Sequence, residues 1–386
     1  MFMSLVIIHE LGHFRAAKKT GVKVKEFWIG IPPKIWRLRK DKSGTEYTLN
    51  WIPLGGFCAL EGDDPSHPET FKAKNSFITA KLRKKLLIIM GGIIMNLIAA
   101  RVIFTTLFWI GINPIAPNDR FESKSYLMPN ISFLIDEGFA DGEIRSGVII
   151  REVVPDSLAE FLPLQVEDII VSLNWTDVEY GNLSTLLSER GNQYNTILIE
   201  RNDEKIEYGF TCEEECKLGI IFIPNATIEI YKIKFWLPWA MKAALHEIKA
   251  EFSLTLTALG IVGKGLFSFN TEKAKDAINM LAGPVGAIKI GEILYSSGGR
   301  LAYLAFAGMI SLALAFFNLL PIPALDGGRG IGVIIQALFK IKPEKYFQYE
   351  GYVNAFFFYL LILLGIVIIF KDLIFFRGIR IPFIWT

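Results

Sequence analysis

The apolar positions of the chain are grouped on the scale of a lipid bilayer. A hydrocarbon core of roughly 30 Å needs about 20 apolar residues in a helix. Leu86 to Ile112 meets this length with Arg101 as an interruption, and Leu301 to Leu320 and Tyr352 to Phe370 meet it cleanly. Met1 to Ala17 is a fourth candidate, shorter, and polar at His9, Glu10, His13 and Arg15. Phe252 to Phe269 contains Lys264 and follows the mixed segment Trp236 to Glu251, a pattern expected of amphipathic helices near the interface over 236–300. The pattern predicts an α-helical polytopic membrane protein of about four transmembrane helices.

Between the second and third spans the period changes from helical to alternating. Gly147 to Glu160 reads as strand, turn and short helix, and Asp168 to Asn174 as a second strand. Leu183 to Arg190 is helical, and Thr196 to Ile199 pairs with Lys205 to Phe210 in a hairpin about Asn202 and Asp203. A small α+β domain over 142–212 is therefore expected inside the segment 113–235.

Composition agrees with membrane insertion. The chain of 386 residues is 52% hydrophobic and only 21% charged, with a mean hydropathy of +0.37. The formal net charge of +2, from 41 basic and 39 acidic residues, excludes the large cationic excess of a nucleic-acid binder. That balance conceals a segregation. Ala16 to Lys85 carries 15 Lys/Arg and 7 Asp/Glu, whereas Asn113 to Phe235 carries 10 and 22. Lys18, Lys19, Lys81, Arg83, Lys84 and Lys85 flank the first two spans, so the positive-inside rule makes the first loop cytoplasmic. The acidic segment is then extracytoplasmic, and Lys340, Lys342 and Lys345 return to the cytoplasmic side. Three cysteines are too few for a disulfide scaffold. Cys212 and Cys216 can bridge in an oxidising compartment or remain as thiols; Glu213 to Glu215 between them do not suggest a second metal site, and Cys58 has no evident role. Met1 to Ile8 has neither a basic n-region nor a small-residue cleavage site, so no secretory signal is expected there.

The chemistry is concentrated in two short motifs. His9-Glu10-Leu11-Gly12-His13 places two imidazoles one helical turn apart on one face, where both can hold one zinc, with Glu10 placed to act as base on a water. Ionisable groups in an apolar stretch are costly and usually functional. Zinc in a catalytic site needs a third protein ligand and an open fourth position. Lys19 stands where a soluble metzincin would need histidine; His67 lies in a polar loop and His246 on the presumed amphipathic helix. The remaining candidate is Asp326, in Asn318-Leu-Leu-Pro-Ile-Pro-Ala-Leu-Asp-Gly-Gly-Arg329 directly after an apolar span. Pro321 and Pro323 break the helix there, and non-helical backbone at membrane depth needs protein or a polar cavity to cover it.

These two motifs together resemble the bacterial site-2 proteases, intramembrane zinc metalloproteases of the RseP/RasP-like branch that carry PDZ domains. Ile52-Pro-Leu-Gly-Gly-Phe57, Gly92 to Asn96 and Ala282-Gly-Pro-Val-Gly286 add to the likeness, which covers nearly the whole chain. The resemblance implies His9, His13 and Asp326 as zinc ligands, Glu10 as general base, and Asn318 as a residue that holds substrate near the metal. It also makes Tyr47 to Phe57, within 45–60, a membrane-associated β-loop whose strand edge, at Gly55 and Gly56, pairs with an extended substrate. The inserted domain resembles a PDZ domain, although Pro163-Leu-Gln-Val-Glu167-Asp168 stands where that family has Gly-Leu-x-x-Gly-Asp. In the family a complete span precedes HExxH, whereas eight residues precede His9 here, so a truncated or misassigned start is expected.

The expectation is thus a multi-pass enzyme of the cell inner membrane, with a first region 1–112, an extracytoplasmic region 113–235, juxtamembrane helices over 236–300 and a last region 301–386. It would cleave single-pass transmembrane proteins, such as an anti-sigma factor or a remnant signal peptide. The alternatives are an inactive scaffold that binds membrane proteins through the PDZ-like domain, and a transporter whose polar residues line an ion path.

Overall fold

The computed structural model describes residues 1–63, 73–116, 123–155, 157–179, 182–188, 193–212, 216–266, 278 and 281–378. His67 and Glu213 to Glu215 lie outside these residues. The chain divides into two units, Met1–Ile115 with Lys234–Thr386, and Ala116–Ile233. In chain order the elements are α1 (Phe2–Thr20), β1 (Val24–Lys40), β2 (Glu46–Leu60), α2 (Leu82–Ile110), α3 (Ile131–Asp136), β3 (Ala140–Val153), α4 (Leu158–Phe161), β4 (Ile169–Leu173), β5 (Thr176–Asp177), α5 (Leu183–Ser188), β6 (Tyr194–Arg201), β7 (Glu204–Thr211), β8 (Ile220–Ile230), α6 (Leu237–Leu266), α7 (Pro284–Leu319), α8 (Asp326–Leu338) and α9 (Pro343–Gly378).

In the first unit α1 is stopped by Gly21, whose φ of 80° lets its N–H turn back onto the carbonyls of Ala17 and Lys18. Lys18 and Lys19 in its last turn complement the negative end of the helix dipole. α1 crosses α2 at two glycines. A Cβ on Gly12 would lie 2.0 Å from the Gly91 carbonyl oxygen, so nothing larger than hydrogen fits at this crossing. On either side of it α2 buries Ile88, Ile89, Gly92, Ile93, Asn96, Ala100 and Phe104, a stripe at three- and four-residue spacing. Gly308 of α7 leaves room for the Phe104 ring, and Ser311 Oγ donates to the Asn96 carbonyl at 3.0 Å.

Three described helices are long and apolar enough to cross a membrane: Leu82–Ile110, Pro284–Leu319 and Lys345–Ile374. α1 forms as a helix but is not among them, because its polar motif occupies much of its 19 residues. α7 is broken at Gly299, where φ is 65°, so its second part starts beside the expected Leu301, and a further helical part from Pro284 precedes it. Leu237 to Leu266, which takes in most of the mixed segment and the described part of the apolar stretch after it, forms one helix, α6. α9 exposes Tyr352, Phe356 and Leu363 along its length, as a helix facing lipid would. Its far end is tied down by a polar contact: buried Asp372 Oδ2 accepts from the Gly283 and Gly286 N–H groups at 2.9 and 2.8 Å. α7 has no cap of its own, so this carboxylate from another helix serves the orphan donors of its first turn.

β1 and β2 form an antiparallel pair much longer than the expected 45–60 loop. Both strands bend. Val24 to Ile29 pairs with Gly56 to Leu60 and, through Glu26 to Ile29, also with Glu46 to Leu49, whereas Lys34 to Lys40 pairs with Glu46 to Asn50. The half of β2 from Gly56 to Leu60 therefore has a strand on one side only among the described residues. Lys18 holds the turn of the hairpin through Asp41 at 2.8 Å, and that contact keeps the half-buried Asp41 carboxyl well below the usual carboxylate range.

The second unit is built on an antiparallel sheet in the order β7-β6-β4-β3-β8, with β5 paired to β4. The expected strand, short helix, second strand, helix and hairpin all form in the anticipated order. β8, which closes the sheet against β3, lies beyond the expected 212 boundary. Val148, Ile150, Ile170, Ile197 and Ile199 fill the core beneath Leu183 and Leu187 of α5. Asp168, 1% exposed, is paired with Arg201 at 2.6 Å, and this carboxylate raises the guanidinium pKa. Cys212 and Cys216 are joined as a disulfide, while Cys58 in the first unit is free and buried.

Candidate metal centre and active site

The first unit holds a cavity of about 560 Å3, lined by His9, Glu10 and His13 of α1, Phe57 and Cys58 of β2, Ile88 of α2, Asn318 of α7, Asp326 of α8 and Asn354 of α9, among others. Each element brings its side chain for a local reason. The four-residue spacing puts His9 and His13 on the face of α1 turned to α2. Asp326 opens α8, where a carboxylate suits the helix N-terminus. The chain reaches it through a sharp reversal: a Cβ on Gly327 would meet the Leu319 carbonyl oxygen at 2.3 Å. Ala324 takes a left-handed φ of 74°, and its N–H is held by Asn354 Oδ1 at 3.0 Å.

His9 and His13, expected together with Asp326, do meet it. Asp326 Oδ2 lies 3.1 Å from His9 Nε2 and 3.3 Å from His13 Nε2, and the two Nε2 atoms are 3.1 Å apart. The three can offer one ligand atom each within 4.8 Å of one another. Asp326 Oδ2 is fully buried and accepts no well-formed hydrogen bond. Two imidazole nitrogens and a carboxylate oxygen converging on one buried point make a donor set for a cation, and the nitrogen-rich composition suits zinc. The residues present therefore fit such an ion. The other ring nitrogens are also placed: His13 Nδ1 stands 2.8 Å from the Ile88 carbonyl, and His9 Nδ1 3.3 Å from Asn96 Nδ2.

Glu10 faces the same cavity. The Cys58 N–H of β2 is within reach of its carboxylate, and a Cβ on Gly56 would come 3.2 Å from Glu10 Cγ. The single-sided half of β2 thus runs beside the carboxylate. Gly55 carries a φ of 88° at the bend that precedes it. Asn318 lines the cavity, and its Nδ2 donates to Leu314 O at 2.9 Å. His246 lies on α6, away from this cluster.

Sequence reading did not find the charged group at one end of the cavity. Arg329, one turn after Asp326, is hydrogen-bonded to Asp63, lies 3.8 Å from Glu350 and stacks 5.1 Å over the Phe77 ring. Lys85, read as part of a basic flank, is buried between the Phe77 and Phe347 rings at 5.9 and 5.1 Å. Arg101 and Arg15 are exposed and do not line this cavity.

A helical membrane unit with two histidines and an aspartate around one buried point, and a glutamate lining the same cavity, fits a metallopeptidase. Residues 1–364 match the family model described as peptidase family M50, and the chain belongs to that family, the site-2 proteases. It is similar to a protein of Clostridium perfringens named as a zinc metalloprotease, 28% identical and covering 97% of this chain and 96% of the relative. It is 26% identical to the membrane metalloprotease ARASP of Arabidopsis thaliana, over 96% of this chain and 76% of the relative. The regulator of sigma E protease of Haemophilus influenzae is likewise 26% identical, over 88% of this chain and 89% of the relative.

Proposed function

We propose that this protein is an intramembrane zinc metalloendopeptidase that cuts single-pass transmembrane proteins, with His9, His13 and Asp326 as metal ligands and Glu10 as general base. The observation that carries the reading is the convergence of the two Nε2 atoms and Asp326 Oδ2 within 3.3 Å beside Glu10, in a cavity bounded by apolar helices. Bound there, zinc would supply Lewis acidity, polarising the scissile carbonyl and making a water acidic near neutral pH.

The chain's own residues would do the rest. Glu10 takes a proton from the attacking water and returns it to the leaving amine. A peptide bond inside a transmembrane helix is hydrogen-bonded and sterically covered, so the substrate must unwind before attack. An unwound segment in an apolar setting needs partners for its backbone groups. The free side of β2 at Gly55, Gly56 and Phe57 can supply them by strand addition, beside Glu10. Asn318, which lines the cavity, would accept a substrate N–H there through its side-chain oxygen.

Orientation follows from charge: the basic loop with the β1–β2 hairpin is cytoplasmic, the acidic Ala116–Ile233 unit is extracytoplasmic, and α1 serves as a fourth span. That unit acts as a PDZ-like domain that restricts which membrane proteins reach the site. The name of the Haemophilus relative supports a regulatory substrate class, such as an anti-sigma factor.

The test is co-expression of wild type and Glu10→Gln with a panel of single-pass reporters. Cleavage by wild type alone, with zinc bound to both proteins, is expected. Intact reporters with both, zinc still bound, would favour the scaffold; a chain that binds no zinc would favour a transporter.

A further inference from the structure

We propose that α2 is a rack that sets both imidazoles for metal binding through Nε2, and that Asn96 is the positioning residue for His9. The inference rests on the zinc reading above and adds residues to it. Ile88, Gly92 and Asn96 follow one another at four-residue intervals and so share one face of α2. Each meets the histidines differently. The Ile88 carbonyl is 2.8 Å from His13 Nδ1, and it can only accept, so the proton of His13 sits on Nδ1 and Nε2 carries a lone pair. Gly92 supplies space: a Cβ there would come within 2.6 Å of His13 Nε2, His9 Cε1 and His9 Nε2. Alanine at this position would stand where the two ligand atoms converge.

Asn96 does for His9 what Ile88 does for His13. Its side chain is fully buried, 3.3 Å from His9 Nδ1 through Nδ2, while Oδ1 is buried without a hydrogen-bond partner. A His9 that binds metal through Nε2 must carry its proton on Nδ1 and needs an acceptor there. The two ends of an asparagine amide have the same shape. With Oδ1 turned to the ring, the Nδ1 proton gains its acceptor, and the orphaned oxygen is satisfied by the same bond. Ser311 Oγ of α7 fixes the Asn96 backbone at 3.0 Å from the far side, so the rack is braced rather than free to roll. The structure thus gives a physical reason for glycine and asparagine four residues apart on this helix.

The experiment measures zinc affinity of the full-length protein in detergent, by competition with a chromophoric chelator, for wild type, Asn96→Asp and Asn96→Leu. Second-sphere partners of metal-bound histidines are worth about 10- to 100-fold in metal affinity. Asn96→Leu, with no acceptor, is expected to lose that much, and Asn96→Asp, which keeps the acceptor in the same shape, to stay near wild type. Equal affinity in all three overturns the proposal, as does a loss confined to Asn96→Asp, which would mean that Asn96 faces His9 as a donor. Because Leu at a buried polar site can misfold, zinc-loaded wild type labelled with 15N-histidine gives an independent reading. His9 is expected to be protonated at Nδ1 with slow proton exchange, and an unprotonated His9 Nδ1 contradicts the proposal. A wild type that binds no zinc would instead refute the zinc reading itself.

Discussion

Among the described glycines of the first unit, Gly12 makes the closest approach to another segment's backbone, and it gives the sharpest prediction. In Gly12→Ala the new Cβ would stand 2.0 Å from the Gly91 carbonyl oxygen and 2.5 Å from its carbon, all of it backbone that cannot rotate away. Restoring an ordinary 3.4 Å contact requires α1 and α2 to separate by about 1.4 Å at the crossing. A rigid shift of that size would stretch the His13 Nδ1 to Ile88 contact from 2.8 Å well beyond hydrogen-bonding range. Overpacking of this kind costs about 1–3 kcal/mol and the lost hydrogen bond about 1 more. Because His9, Glu10 and His13 all ride on α1, misplacement by about 1 Å should lower the cleavage rate about 100-fold. The assay is kcat on a purified single-pass substrate, together with bound zinc and the thermal midpoint in detergent. Gly260→Ala is the control, since a Cβ on that α6 glycine meets nothing within 4 Å. If Gly12→Ala behaves like the control in all three measurements, the account of the crossing is wrong.

Two further predictions concern the other ends of the fold. Asp326→Ala removes the only carboxylate of the ligand cluster; zinc measured by mass spectrometry should fall from about one per chain to a small fraction after mild chelation, and full retention would refute the third-ligand assignment. Asp372→Ala leaves the Gly283 and Gly286 N–H groups without their acceptor, a loss of about 2–4 kcal/mol at the cost of buried unsatisfied groups. It should lower the thermal midpoint while leaving zinc stoichiometry intact, and an unchanged midpoint would show that the contact contributes little.

Much of this was legible in the sequence because the signals are local. His9 and His13 are one turn apart, and Asp326 follows two prolines that end a helix, so each motif carries its own geometry. The apolar runs of α2, α7 and α9 needed only length and composition. What escaped reading depends on contacts between distant segments. β8 has Pro224 and Asn225 in its middle and becomes a strand through its pairing with β3, more than 60 residues earlier. Asp372, within an apolar run, gives no hint that it caps a helix 86 to 89 residues before it. Lys85 looks like one more basic flank until Phe77 and Phe347 close around it. Asn96 was visible as part of a motif, but its task appears only when His9 is seen beside it.

The central claim is hydrolysis within the membrane by Glu10 at a zinc site. Its most direct test is the mass of the products formed from a single-pass substrate when purified enzyme and substrate share proteoliposomes. The account predicts one cut inside the apolar segment by wild type, lost on chelation and restored by zinc, and no cut by Glu10→Gln at equal zinc occupancy. A cut that persists in Glu10→Gln, or one that falls only outside the apolar segment, would contradict it.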